Sequence, residues 1–505
     1  MAVWARRNTM ICLINPNHVL QRNDPFTTGI PYMPVGLAYF AAALRARGHA
    51  VQVIDAFGER PMQARVDGLF MTRGLRSDEV VDRIGAGTRV AALYAINLTY
   101  HRALAAILAE CRRRRPDVTA VVMENTQAVT AYALRHVQAD LHAAGADYVL
   151  TGEAEERGVR LIEALLAGRE PANVDGVGYR RDGALVYRPP AGVIADLDAL
   201  PPPAWDLFPL QNYWDLGYAH GPLQTGRYLP LLTSRGCPYL CRFCVIPETN
   251  GAKWRGRSAR SVVDEMEDMA RRFGVRDFHL EDVDPTVSDR RTREICQEIL
   301  GRRLDVIWKI VAGTKVETIR DEETVALMAR AGCRYISISP ESGSPRVLRM
   351  IGKPFDLDHA VRMVAKMNRA GICSQACFVL GFPGEEDDDR RLTWNLVHDL
   401  AKAGVDEIVL FIVTPVPGSA IHDRFAGYTD YSQLTFSPTW RRDYALLNRF
   451  RRNLYARFFL WKLRYHPGRV IGQGVNLLRR SFQTKAEMAC YRAVKLKMLE
   501  ARAAS

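Results

Sequence analysis

The sequence predicts an α/β protein in three unequal parts: an N-terminal Rossmann-like open sheet, a second run of strand–helix units, and a strand-free helical tail. Three observations lead there. Short apolar runs alternate with helical patterns over residues 1–165 and again over 226–425. Between them, residues 166–225 hold a hairpin-like stretch at 177–187 and the run Leu200-Pro-Pro-Pro203, the composition of a linker. Beyond 425 the alternation stops, and residues 426–505 are rich in Arg, Leu, Phe and Tyr.

In the first part, Ile11-Cys-Leu-Ile14 reads as a strand ending in the turn Asn15-Pro16-Asn17. A helix follows from Pro34 and stops by Gly48, a residue type that ends helices. Further strands are expected at 51–55, 90–96, 120–123 and 147–150, with a helix over 102–114. Open sheets bind ligands beyond their C-terminal strand ends. That rule places Asn15, Asn97, Leu98, Thr99, Glu124, Asn125, Gly152 and Glu153 at a candidate site. In the second part, strands are expected at 228–233, 277–281, 306–311, 335–339, 375–380 and 407–412. Six strand–helix units suit a partial or a complete (β/α) barrel, whose chemistry gathers at the C-terminal strand ends.

Composition narrows the class. At 505 residues, 48 % hydrophobic and 25 % charged, the chain has room for several domains and the balance of a globular protein. The first ten residues lack a secretory signal's apolar region, and no run is long enough to span a membrane. A cytoplasmic location is therefore expected, and ten cysteines in such a chain point to metal, not disulfides. Seven of them sit in apolar strands or helices, as buried small hydrophobes do. From Arg441 onward, 16 Lys and Arg face 3 Asp and Glu, which accounts for the whole net charge of +13. A basic tail of this kind suggests a local electrostatic partner and no nucleic-acid-binding core.

The other three cysteines carry the chemistry. Cys237, Cys241 and Cys244 form C-x3-C-x2-C, with no fourth cysteine until Cys296. A structural zinc site wants four protein ligands. A [4Fe–4S] cluster held by three cysteines keeps one iron open to an outside ligand. The run Gly236-Cys-Pro-Tyr-Leu-Cys-Arg-Phe-Cys244 resembles the signature of the radical S-adenosylmethionine (SAM) enzymes. The resemblance implies a partial (β/α)6 barrel, with the open iron chelated by SAM and SAM cleaved reductively to a 5′-deoxyadenosyl radical. It also implies that Phe243 lies against the adenine.

Motifs after later strands resemble the family's in order. Glu281-Asp-Val-Asp284 resembles its acidic motif, with Glu281 and Asp282 as candidates for the SAM ammonium. Pro340-Glu-Ser-Gly-Ser344 resembles its Glu-Ser-Gly, with Glu341 on the ribose hydroxyls. Gly381-Phe-Pro-Gly-Glu385 resembles an element whose glycines, Gly381 first, let backbone approach SAM. Thr414-Pro-Val-Pro-Gly-Ser419 falls near the adenine.

An α/β domain ahead of such a barrel resembles the cobalamin-binding subfamily, which includes methyltransferases and an anaerobic tetrapyrrole cyclase. Pro34-Val-Gly-Leu-Ala-Tyr39, Gly152-Glu-Ala-Glu155 and the linker around 197–206 fit it. Cobalamin between the barrel and Asn15, Thr99, Glu124, Asn125 and Gly152 is what the resemblance implies. One departure is Met123-Glu-Asn-Thr126, where many members carry a Gly-Gly pair; a degenerate domain that only shapes the pocket is the other reading. Asp140-Leu-His142-Ala-Ala-Gly145 matches the D-x-H-x-x-G motif of other cobalamin proteins. It precedes the fifth strand, so His142 is expected at the edge away from the corrin, with Gly145 ending a helix.

The expected reaction is methyl transfer to an unactivated carbon of a small molecule or lipid, with cyclisation or rearrangement as the alternative. An electron donor such as flavodoxin or ferredoxin is implied. In the tail, Leu446, Phe450, Leu454, Tyr455, Phe458 and Phe459 suggest one apolar stripe. A helix packed on the barrel, a peripheral membrane contact and a docking site for an acidic electron donor all fit that stripe.

Overall fold

The computed structural model describes residues 10–22, 29–127 and 130–504. The first nine residues, where a signal sequence was sought, lie outside the described residues. Among the described residues the first large sheet has seven strands: β1 Met10–Asn15, β2 Ala50–Asp55, β3 Thr88–Ala95, β4 Thr119–Glu124, β5 Tyr148–Leu150, β6 Val177–Arg181 and β7 Ala184–Arg188. Their order is β7-β6-β5-β4-β3-β1-β2. The first five are parallel, and β6 and β7 join antiparallel. The strand order 2-1-3-4-5 reverses between β1 and β3, the position at which open sheets bind ligands.

Alternation along β1 shows why the sheet is buried on both faces. Ile11 and Leu13 enter one core, and Cys12 and Ile14 the other. The first core continues through Trp205, Tyr213 and Tyr218 of the connecting segment into the barrel strands. That segment is bolted to the first sheet: Tyr213 Oη donates to Asp55 at 2.8 Å, and Ala204 N–H to Ala38 O at 3.0 Å. The hairpin expected in a linker is thus an edge of the first sheet, and the connecting segment is a packed element. A three-stranded antiparallel sheet of His18–Gln21, Ala64–Asp67 and Phe70–Arg73 was not read from the sequence.

The second large sheet contains, among the described residues, β8 Tyr228–Leu231, β9 Asp277–Leu280, β10 Ile307–Thr314, β11 Cys333–Glu341, β12 Cys373–Leu380 and β13 Glu407–Ile412. They are parallel and in sequence order, so β8 and β13 are open edges. The C-terminal helix Lys485–Ala504 and the segment before β8 meet across that gap. Phe482 N–H donates to Leu223 O at 2.8 Å, Lys485 N–H to Glu407 at 3.1 Å, and Lys495 Nζ to Leu216 O at 2.8 Å.

The preceding helix, Tyr444–Tyr465, buries Leu447, Arg451, Leu454, Phe458 and Lys462. The stripe expected from the sequence is displaced, since Leu446 and Phe459 are 54 % and 53 % exposed. Both buried cations are capped: Arg451 donates to Ser437 Oγ at 3.0 Å, and Lys462 Nζ to Asp406 O at 2.5 Å.

Candidate active site

The cysteine loop begins where a two-stranded ladder, Ser234–Arg235 with Arg255–Gly256, pinches its base. Gly236 has φ +77°, and a side chain there would fall 2.0 Å from Lys253 O, so only glycine fits. Asp282 holds the strand leading in. It is fully buried and accepts from Thr233 N–H at 3.0 Å, Thr233 Oγ1 at 2.7 Å and Ser234 Oγ at 2.6 Å. Across the ladder, Arg235 pairs with Glu155 at 2.5 Å and Arg255 with Glu153 at 2.8 Å. The Gly152-Glu-Ala-Glu155 stretch therefore ties the first sheet to the cysteine loop.

Burial pushes the thiols of Cys237 and Cys244 up to about 12 and raises Cys241 as well, so ligation must displace their protons. Among the described residues no three His, Cys, Asp or Glu converge as a single-ion site does. Three cysteines on one short loop suit a cluster, in which each thiolate takes its own iron. The donor set fits [4Fe–4S] and not mononuclear zinc.

A cavity of about 500 Å³ lies beside this loop, and the open space including its mouth reaches about 2560 Å³. The enclosed volume of about 500 Å³ lies within the range of ligand pockets. Its wall includes Phe243 and Cys244, then Glu281 and Glu341 at barrel strand ends. Ser337, Ser339 and Glu341 alternate along β11, and Gln375, Cys377 and Val379 along β12, so the cavity faces the sheet's concave side. Opposite lie His18, Asn97 and Thr99, at the switch point of the first sheet. One space thus joins the cysteine loop to the site that sheet topology marks.

Glu341 is 6 % exposed with φ +63°, a costly conformation for a residue with a side chain. Lys353 Nζ donates to it at 2.6 Å. Glu281 faces His220, whose Nδ1 lies 2.7 Å away; burial outweighs the carboxylate's pull and holds this imidazole below its ordinary range. Phe243 packs on Phe382, ring centroids 5.4 Å apart.

Of the residues expected from the sequence, Asn97, Leu98, Thr99, Phe243, Cys244, Glu281, Glu341 and Thr414 line the cavity together. Asn15, Glu124, Asn125, Gly152, Glu153, Cys237, Cys241, Asp282 and Gly381 are not in its lining. Asn15 donates to Asp55 at 2.8 Å, and Asn125 to Ile96 O at 2.8 Å. Glu124 accepts from Gly152 N–H at 2.7 Å and Leu134 N–H at 2.8 Å. Gly381, at φ +80°, makes room for Leu447 and Arg441 of the C-terminal region. His142 Nδ1 donates to Ala146 O at 2.8 Å, on the helix before β5 and outside the cavity lining.

Sequence reasoning missed His18, Tyr32, His220, Lys485 and Arg492, which also line the cavity. His18 had a signal, standing three residues past the end of β1. The other four come from segments with no motif.

Residues 231–397 match the family model of the Radical SAM superfamily. An uncharacterized methyltransferase of Pyrococcus horikoshii is 29 % identical over 59 % of this chain and 61 % of its own length. Cytidylyl-2-hydroxyethylphosphonate methyltransferase of Streptomyces wedmorensis is 27 % identical over 86 % of each chain. Anaerobic magnesium-protoporphyrin IX monomethyl ester cyclase of Rubrivivax gelatinosus is 27 % identical over 72 % of this chain and 62 % of its own length. This chain therefore spans about three fifths of two of these relatives. The radical S-adenosylmethionine methyltransferase TsrM from Kitasatospora setae, solved with cobalamin and a [4Fe–4S] cluster bound, shares the fold. Its TM-score is 0.62 at 20 % identity, covering 84 % of this chain and 76 % of that one.

Proposed function

We propose that this radical SAM enzyme is a cobalamin-dependent methyltransferase acting on an unactivated carbon of a small-molecule or lipid substrate. The observation that carries it is the single cavity running from Phe243 and Cys244 to the switch point of the first sheet. When bound, the [4Fe–4S] cluster and SAM supply reductive SAM cleavage, and cobalamin supplies methyl carriage. Cys237, Cys241 and Cys244 would hold the irons. Glu341 would accept from ribose hydroxyls, Glu281 from an ammonium, and Phe243 would cover the adenine. Asn97, Thr99 and His18 would face the corrin; burial, with Arg73 and Arg492 nearby, keeps His18 neutral. The helix Lys485–Ala504 excludes water by filling the gap between β8 and β13. Leu240, 65 % exposed at the tip of the cysteine loop, gives an electron donor a place to dock.

Anaerobic reconstitution with cobalamin tests the reading through products. Methyl transfer yields S-adenosylhomocysteine beside 5′-deoxyadenosine, whereas a cyclase yields only the latter, and the relatedness to cyclases makes that the second reading. Loss of both products in Cys237/Cys241/Cys244→Ala is expected. Turnover of the true substrate without S-adenosylhomocysteine would overturn methyl transfer.

A peripheral contact with anionic lipid belongs to the same proposal. Between Tyr444 and Ala486 stand ten Lys or Arg and no Asp or Glu. Phe459, Leu460, Ile471 and Leu478 are exposed there, and among the described residues no helix is long and apolar enough to cross a membrane. Sedimentation with phosphatidylglycerol vesicles, lost in Ile471→Ser/Leu478→Ser, checks it. Equal sedimentation of both proteins would refute it.

A further inference from the structure

We propose that the same cavity contains an anion subsite anchored by Arg492, which takes a carboxylate or phosphoryl group of the substrate. The inference rests on this being the substrate cavity, as proposed above. Helix Lys485–Ala504 turns Lys485, Ala489 and Arg492 towards the cavity, a spacing of four and three that makes one stripe. Arg492 is only 7 % exposed, and its Nη1 is buried without a hydrogen-bond partner among the described residues.

Among the described residues no carboxylate pairs with it. Arg73 repels it, and the phenols of Tyr218 and Tyr32 are its polar neighbours. Burial lowers its pKa to about 10, which still leaves the guanidinium charged at neutral pH. Lys485 Nζ donates to a carbonyl, Val311 O, at 2.7 Å.

The acids on the same wall are, by contrast, already engaged. Glu281 faces His220, and Glu341 takes Lys353. Glu407 accepts from the backbone of Lys485 and Ala486 and from the Gln375 amide. The unmet demand of the cavity is therefore for negative charge. A buried charge without a partner costs several kcal/mol, and a ligand anion at Arg492 would restore what burial removed. Guanidinium geometry favours a planar, two-pronged acceptor, which carboxylate and phosphoryl oxygens both supply.

The test is calorimetric titration of the anaerobic holoenzyme with acetate and with inorganic phosphate, each with and without saturating SAM. One saturable site per chain is expected, weakened at least about tenfold in Arg492→Gln and much less in Arg492→Lys. The exposed control Arg479→Gln should bind as wild type does. Preference for acetate or phosphate separates a carboxylate from a phosphoryl substrate. The proposal fails if wild type binds neither anion, or if Arg492→Gln binds as tightly. It also fails if SAM abolishes binding, because the subsite then belongs to SAM's own carboxylate. Wild type and Arg492→Lys decide the matter even if Arg492→Gln does not fold. No arm uses methyl transfer. Lost anion binding with S-adenosylhomocysteine still formed would sink the subsite alone, and the reverse result would sink only the methyltransferase reading.

Discussion

Replacing Glu341 by Gln should separate its structural role from its role towards SAM. The pair it forms with Lys353 is buried, with side chains 8 % and 10 % exposed and 2.6 Å between charged atoms. Gln matches Glu in size and carries the same backbone strain at φ +63°, so that term cancels. What remains is an ammonium with no carboxylate, and breaking a buried pair by removing one partner costs about 3–5 kcal/mol. For a barrel of this size that corresponds to a melting transition lower by about 6–20 °C. Lys353→Met added to Glu341→Gln removes the orphaned charge, and such replacements are neutral or stabilising. The double variant should therefore melt within about 4 °C of wild type. If Glu341 also receives the ribose hydroxyls, SAM affinity stays low in both variants. Differential scanning calorimetry and SAM titration read the two effects independently. A Glu341→Gln protein that melts as wild type would show the pair is not buried. Recovery of SAM affinity in the double variant would reduce Glu341 to a partner for Lys353.

Three other outcomes follow from the geometry. Asp282→Ala removes the acceptor of three buried donors on Thr233 and Ser234, and the two on Thr233 are left unsatisfied at about 1–3 kcal/mol each. Iron and sulfide per chain should fall well below wild type, and an unchanged cluster content would remove Asp282 from its positioning role. Burial holds Glu124 at about 7 despite two backbone donors. Its folded pKa lies above the unfolded one, so its contribution to stability is full below about 4.5 and is lost as pH rises through about 7. The melting temperature should decline between pH 5.5 and 8, with a shallower slope in Glu124→Gln; calorimetry at each pH checks this, and equal slopes would contradict it. Finally, His142→Ala should leave the paramagnetic spectrum of Co(II) cobalamin unchanged, since His142 stands outside the cavity lining. Nitrogen splitting that disappears in this variant would overturn the placement.

The parts of the molecule legible in the sequence are those whose local pattern and tertiary environment agree. The strands at 277–281, 375–380 and 407–412 fall within a residue of the structural β9, β12 and β13, or two for the start of β12. Parallel strands buried on both faces tend to near-continuous apolar runs, and 376–380 and 408–412 supply that signal without a partner, whereas buried Asp277, His279, Ser374 and Gln375 interrupt it. Glu281 and Glu341 were legible as strand-end acids, and both line the cavity. Gly381 shows the limit. The glycine was expected to face SAM, yet its missing side chain accommodates Leu447, sixty-six positions onward. A glycine in the sequence says that something comes close, and nothing about what does.

The tail shows why the remainder was hidden. Helix Tyr444–Tyr465 has apolar residues on every face, so periodicity alone offers several stripes and the most apolar one is wrong. The face that packs contains Arg451 and Lys462. Their stems cover apolar surface while their heads reach Ser437 and Asp406, partners fixed only by the completed barrel. The same reasoning applies one helix pair later. An open six-stranded sheet must cover its two edges, and here the cover is the C-terminal helix, held by Glu407 at one edge and Leu216 at the other. Whatever covers the gap also forms the wall of the cavity behind it. The charge on that wall is thus set by residues that lie 66 and 73 positions beyond the motif at 414–419, and a basic tail that looked like surface supplies Lys485 and Arg492 to the cavity.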